Sequence, residues 1–266
     1  MARVVCGRRA VLEALRADPA RVAVVYLTEG EADPALSELT AAASRARVPC
    51  EPRPVADLDA LAKGTRHQGA LAITGDYPYR DLAELLVPAA RPPLLVVCDE
   101  IQDPHNVGAI VRSAVFFGAT GVVLGKNRSA GITPGAVRSS AGATEHARIA
   151  RVTNIAETLR ALGKEGLRTV GLDGQAPATL WDVDLTGPCA LVVGSEGRGL
   201  RRLVAERCDT LARLPGAGAL DSLNASVACA IALYEVHAQR SGTRLPGGRD
   251  EEGPEDSTHR RAHGRR

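Results

Sequence analysis

The sequence predicts an α/β protein whose larger part is a parallel sheet with helices on both faces, preceded by a smaller α/β unit. Three observations carry that expectation. Short apolar runs of strand length alternate with stretches whose apolar residues recur at helical spacing. The stretch DYPYRDLAELLVPAARPP, with prolines at 78, 88, 92 and 93, interrupts this alternation and splits it in two. The runs LLVVC at 94–98 and LVV at 191–193 contain no polar residue, as strands covered on both faces do.

In the first part, residues 1–76, the segment 8–15 places Val11, Leu12 and Leu15 on one helical face. Residues 22–27 read as a strand, 34–45 as a helix and 69–74 as a strand. Residues 77–93 read as a linker. The second part, 94–240, opens with a strand at Leu94–Cys98. A helix over 106–117 is expected next, with Asn106 as its N-cap and Gly118 just past its end. Gly121–Gly125 reads as a strand, 155–162 as a helix, and Arg168–Leu172 and the run at 191 as strands. The last helix is expected over 222–237, capped by Ser222. From Ser241 onward Gly, Pro, Arg and acids dominate, too little apolar surface to fold, so this tail is expected to be disordered.

The 266 residues suffice for two modest domains. A formal charge of +2 excludes a general DNA coater and confines any nucleic-acid site to a local patch. The 6 cysteines are scattered without a C-x-x-C pair, mostly inside apolar runs, so neither a zinc site nor a disulfide framework is expected. No apolar run approaches the roughly 18 residues of a membrane span. The N-terminus lacks a signal-peptide core, and a cytoplasmic location is expected.

Three segments carry chemistry. In DEIQDPHNVGAIVRSAVFFGATGVVL, residues 99–124, Val107, Ile110, Val111, Ala114 and Val115 form a core stripe. His105, Gly108, Ala109 and Arg112 fall on the other side, where the arginine would overlook open space suited to a phosphate or sugar. In LVVGSEGRGLRRLV, residues 191–204, a buried strand ends in a glycine-rich loop around an acid with a buried look, Glu196. Its order, G-x-x-G-x-G, is not a dinucleotide fingerprint, and no G-K-[ST] follows to make a P-loop. A nucleotide-binding oxidoreductase is excluded on the same ground, since the first strand–helix turn lacks G-x-G-x-x-G. The loop nevertheless lies beyond the carboxyl end of a strand, where ligands of parallel sheets sit. In LPGAGALDSLNASVACAIALYEV, residues 214–236, Leu223 and Asn224 are expected in the first turn of the last helix, among free backbone amides. The small residues Ala225, Ser226, Ala228, Ala230 and Ala232 allow another backbone to approach closely.

DPHNVGAIVRSA, LVVGSEGRGL and SLNASVACAIALYE, in this order, resemble the SpoU (TrmH) family of the SPOUT superfamily, S-adenosylmethionine-dependent RNA 2′-O-ribose methyltransferases. CGRRAVLEAL and HQGALA are similar to that family's N-terminal substrate-binding domain, which is L30e-like. The resemblance covers nearly the whole chain apart from the tail, and departs in reading SLNAS where SLNVS is more usual. It implies a SPOUT-type parallel-sheet domain with a trefoil knot over 94–240, preceded by an RNA-binding domain over 1–76. It implies a cofactor pocket to which Gly194, Leu214 and Leu223 contribute, and site residues Arg112, Asn106, Glu196, Ser222 and Asn224. Asn106 and Glu196 would hold Arg112 and the ribose, and Ser222 and Asn224 would order the third motif. Arg112 would be either the general base or a clamp on the target phosphate; a guanidinium, with a pKa above about 12, is an unusual base. The two-domain layout is similar to the branch acting on a guanosine of 23S rRNA. Enzymes acting on tRNA, which generally lack the first domain, come second. A non-catalytic RNA-binding assembly factor comes third, because all five polar site residues are present. A homodimer with its sites near the interface, no metal, no DNA and no membrane complete the expectation.

Overall fold

The computed structural model describes residues 2–30, 33–86, 91–217 and 222–243. The first unit runs β1 (Arg3–Cys6), α1 (Arg8–Ala17), β2 (Val22–Thr28), α2 (Pro34–Ala46), β3 (Cys50–Arg53), α3 (Val55–Ala62) and β4 (Ala70–Thr74). Its sheet has the order β1-β4-β2-β3, antiparallel except where β3 lies parallel beside β2. Helix α1 turns Ala10, Val11, Ala14 and Leu15 inward. Helix α2 starts where the Asp33 side chain accepts the Ala35 N–H at 2.8 Å, with Pro34 in the first turn. It stops at Arg47, whose φ of 58° is left-handed.

The second unit runs β5 (Leu94–Cys98), α4 (Pro104–Phe116), β6 (Gly121–Gly125), α5 (Pro134–Ser139), β7 (Ile149–Val152), α6 (Ile155–Lys164), β8 (Arg168–Leu172) and β9 (Ala178–Thr179). It continues with β10 (Cys189–Val193), α7 (Arg202–Ala205), β11 (Thr210–Arg213) and α8 (Ala225–Arg240). The strands form one sheet, β7-β6-β5-β10-β8-β11-β9, and its pairings are parallel. Side chains alternate across it. Leu94, Val96, Cys98, Leu191 and Val193 pack with the buried faces of α4 and α8, whereas Leu95, Val97, Ala190 and Val192 pack with α6 and Val204 of α7. This two-sided burial explains the unbroken apolar runs of β5 and β10.

The order of the strands places the site. From β5 the chain moves outward through α4 to β6, whereas from β10 it crosses β8 to reach β11. The loops that leave β5 and β10 therefore diverge from adjacent strand ends and open a crevice, the topological switch point of a parallel sheet.

Several expectations need correction. Residues 77–86, inside the expected linker 77–93, are packed against the second unit. The Tyr77 hydroxyl lies 2.8 Å from the Thr144 carbonyl, Arg80 N–H donates to the Ile149 carbonyl, and Leu85 is buried against Gly121 of β6. The N-cap of α4 is Asp103, whose side chain accepts the His105 N–H at 2.9 Å with Pro104 at the first helical position. Asn106 is thereby one turn inside the helix. The N-cap of α8 is Asn224, not Ser222. The strands β1, β3, β7, β9 and β11 and the helices α3, α5 and α7 were not anticipated. None of these strands exceeds four residues, and β3 (CEPR) is a polar edge strand containing proline. Residues 218–221, within the 94–240 span expected to carry the knot, and the tail from residue 244 lie outside the described residues.

Candidate active site at the ends of β5 and β10

After Val193 the chain makes a tight hairpin. Ser195 and Gly199 exchange both backbone hydrogen bonds, at 3.1 and 2.9 Å, leaving Glu196, Gly197 and Arg198 at the tip. Gly197 (φ 77°) and Gly199 (φ 66°) take left-handed conformations that favour glycine. Gly194 is required by the hairpin itself, because a Cβ there would lie 2.2 Å from the Gly199 carbonyl carbon. Gly194 thus lies close against its own returning strand.

Glu196 is exposed at the hairpin tip, contrary to its buried look in the sequence. Its Oε1 accepts a hydrogen bond from Asn106 Nδ2 at 2.9 Å and another from Asn224 Nδ2. Asn224 Nδ2 also donates to Asn106 Oδ1 at 3.0 Å. The polar residues of three distant segments are thus joined in one closed triangle. Asn106 can reach inward because Asp103 has taken over the cap. Asn224 does both jobs: its Oδ1 accepts the Ser226 and Val227 N–H groups at 2.9 and 3.3 Å while its amide faces Glu196.

Arg112 stands apart. Asn106 and Glu196 bond one another and Asn224 rather than its guanidinium, which corrects the expectation that they hold it. Six residues beyond Asn106, it lies about 9 Å further along the helix axis. His105, Arg112 and Phe116 are exposed there, in line with partly buried Ala109. Gly108 is not part of that open strip. It is buried against α5, where a Cβ would sit 2.3 Å from the Ala136 carbonyl oxygen. Ser222 and Leu223 are exposed beside Asn224, and Leu214 is half-buried after β11.

Asp99 and Arg201 were missed. Asp99 directly follows β5 and is fully buried, accepting the Arg201 backbone N–H at 2.9 Å and its Nε at 2.8 Å. This hydrogen bond, together with the charges of Asp99 and Glu100, raises the Arg201 pKa. The hairpin is therefore tied at its exit as well as its entry. An acid directly after an apolar run was the available sequence clue. Burial, with a lesser push from Asp99, raises the neighbouring Cys98 thiol to about 12.

The model of the SpoU rRNA Methylase family matches residues 93–234, and that of the RNA 2'-O ribose methyltransferase substrate binding domain matches residues 4–80. The chain is 42% identical over 243 residues to 23S rRNA (guanosine-2'-O-)-methyltransferase RlmB of Pseudomonas syringae pv. tomato, covering 90% of this chain and 97% of that protein. It is 43% identical over 240 residues to an uncharacterized tRNA/rRNA methyltransferase of Mycobacterium avium, covering 90% of this chain and 78% of the relative. Among solved structures, the SpoU methyltransferase AviRb from Streptomyces viridochromogenes, in complex with AdoMet, superposes with a TM-score of 0.75 at 26% identity, covering 91% of each chain. With its three motifs gathered at one switch point and both family models matched, the chain belongs to the SpoU rRNA methylase family.

Proposed function

We propose that this protein transfers the methyl group of S-adenosylmethionine (AdoMet) to the ribose 2′-OH of a guanosine in 23S rRNA, as a homodimer, in the cytoplasm and without a metal ion. The observation that carries this reading is the closed Asn106–Glu196–Asn224 triangle, which brings all three motifs to the strand ends. Identity of 42% to an RlmB supports the rRNA guanosine as target.

The residues fit the methyl donor. Among the described residues nothing lies within 4 Å of where a Cβ would stand at Gly197, Gly199 or Gly216, so bare backbone borders open space there. The hairpin from Gly194 and the segment at Leu214 would hold the adenosine by backbone contacts, and exposed Leu223 would cover its apolar parts. When bound, AdoMet supplies a methyl group on a sulfonium, already a good leaving group. The protein's task is then alignment and removal of one proton. Glu196, an acceptor with capacity beyond the two amides, orients the attacking hydroxyl. Asn106 and Asn224 hold that carboxylate in place. Arg112, exposed and able to fork onto phosphate, grips the RNA backbone, and a phosphate oxygen receives the 2′-OH proton. Asn224, beside exposed Ser222, orders the start of α8. Dimerisation is supported by the apolar side chains on α4 and α8, where Phe116, Tyr234 and Val227 are 80%, 55% and 46% exposed.

The test is incubation with tritiated AdoMet and, separately, unmodified 23S rRNA and bulk tRNA. Label in the ribose of one rRNA guanosine is the expected result. Label in tRNA alone would replace the substrate, and no AdoMet binding would overturn the reading of the hairpin.

A further inference from the structure

The two units are fastened together at a point remote from the Asn106–Glu196–Asn224 triangle. Arg3, the first residue of β1, forks onto Glu145: one guanidinium nitrogen meets Oε1 at 2.9 Å and the other meets Oε2 at 2.7 Å. The two side chains are only 8% and 5% exposed, although 142 positions separate them. The Arg3 Nε donates to Thr74 at 3.2 Å, so the guanidinium is fixed within its own sheet as well. The Tyr77 ring lies under that guanidinium at 5.4 Å, and its hydroxyl is within reach of the Thr144 and Ala147 carbonyls. A second contact lies alongside. Glu13 of α1 meets His146 Nε2 at 2.8 Å, and a Cβ on Gly142 would lie 2.8 Å from the Glu13 Cβ.

Residues 142–147 follow α5, and α5 is pressed onto α4 so closely that only glycine fits at 108, one turn after Pro104. Buried Val5, Ala10, Val11 and Ala14 belong to the same continuous core as Val137, Ile110 and Val111. A packed path therefore runs from the first unit through Glu145 and α5 to the helix that carries Asn106 and Arg112. Such a path transmits position, because closely packed interiors yield little. A buried, bidentate charged pair adds direction, since it is satisfied in one orientation only.

We propose that Arg3 and Glu145 form a latch that holds the RNA-binding unit at one distance and orientation from the methyl-transfer site, making them positioning residues that select which ribose is methylated. The proposal rests on the RNA methyltransferase reading above. An RNA element gripped by the first unit then presents a single nucleotide to Glu196 and Arg112. With the latch released the same grip presents several.

The experiment compares the wild-type protein with Glu145→Gln and Arg3→Lys, using unmodified 23S rRNA and tritiated AdoMet, with the methylated riboses mapped by nucleotide. Each variant is expected to bind AdoMet as the wild type does. Its KM for rRNA should rise by about tenfold or more while kcat at saturating rRNA stays within about threefold. Label should spread to neighbouring riboses, and trypsin should cut more quickly at Arg80, between the units. A merely structural role would instead lower AdoMet binding and kcat together, and would overturn the proposal. So would wild-type KM at the same single ribose in either variant. If Glu145→Gln fails to fold, Arg3→Lys probes the same contact from the other unit, and its result decides. Failure of the underlying reading is visible separately, because the wild-type protein would then transfer no label to rRNA at all.

Discussion

Asn224 is one residue with two tasks, and its two ends can be separated experimentally. Its Oδ1 caps α8 by accepting the Ser226 and Val227 N–H groups, and its Nδ2 holds Asn106 and Glu196. Aspartate keeps the capping oxygen but puts a carboxylate where the donor was, facing Glu196. Asn224→Asp should therefore melt within a few degrees of wild type while losing nearly all transfer. Asn224→Ala should also lose about 1 kcal/mol of stability with the cap. Thermal melts beside a methyl-transfer assay check both, and an active Asn224→Asp variant would remove the donor from the mechanism. At this scale the sequence was informative about identity and less so about role. Asn106, Glu196 and Asn224 were all singled out by the motifs that contain them. Their partners were not, because which amide meets which carboxylate depends on three loops meeting in space. Ser222 was the expected cap because serine and asparagine cap equally well, and spacing alone does not choose between positions two residues apart.

Among the described residues, α4 and α8 present a cluster of exposed apolar side chains. Phe116 is 80% exposed and Tyr234 55%, and Phe117 links the two helices through a ring contact with Tyr234 at 6.2 Å. Hydrophobic side chains clustered in this way mark an interaction surface. If the proposed homodimer forms through this face, Phe116→Asp combined with Tyr234→Asp should shift sedimentation from dimer to monomer without lowering the melting temperature much, since neither side chain is in the core. An unchanged dimer would move the interface elsewhere. The longer elements were legible because their periodicity is a local property. Strands β5, β6 and β8 have the bounds their sequences suggest, and α1, α2 and α6 differ by one or two residues at their ends. Helix α4 starts at Pro104 rather than two residues later, because Asp103 followed by proline is the stronger start. Strand β7 and helix α5 are too short to show a period, and they owe their form to neighbours that pair with them or press on them.

At the scale of the whole molecule, burial of thiols links stability to pH. Burial raises Cys98 and Cys208 to about 12 and Cys6 to about 11, against an ordinary value of 9.0. In the unfolded chain these thiols ionise from about pH 9; in the folded protein they stay neutral. Their contribution is thus complete below the unfolded value and is lost as pH rises through the folded values. Stability should fall between about pH 9 and pH 12 by up to about 1.4 kcal/mol per pH unit for each thiol. Urea unfolding at pH 8, 9.5 and 10.5 measures this, and Cys98→Ala should flatten the slope. A slope unaffected by that substitution would show that Cys98 ionises alike in both states.

By itself the sequence determined the alternation of strand and helix, the buried character of β5 and β10, and the three motifs whose polar residues meet, since these follow from local periodicity and from patterns read along the chain. Only the tertiary structure decided that Asn106 and Asn224 converge on Glu196 while Arg112 stands exposed further along α4, that Gly194 serves its own hairpin, and that residues 77–86 are packed. It alone joined Arg3 to Glu145. The reason is physical: strand order and domain docking are set by contacts between residues tens to more than a hundred positions apart, and no local pattern encodes which distant surfaces will bury one another.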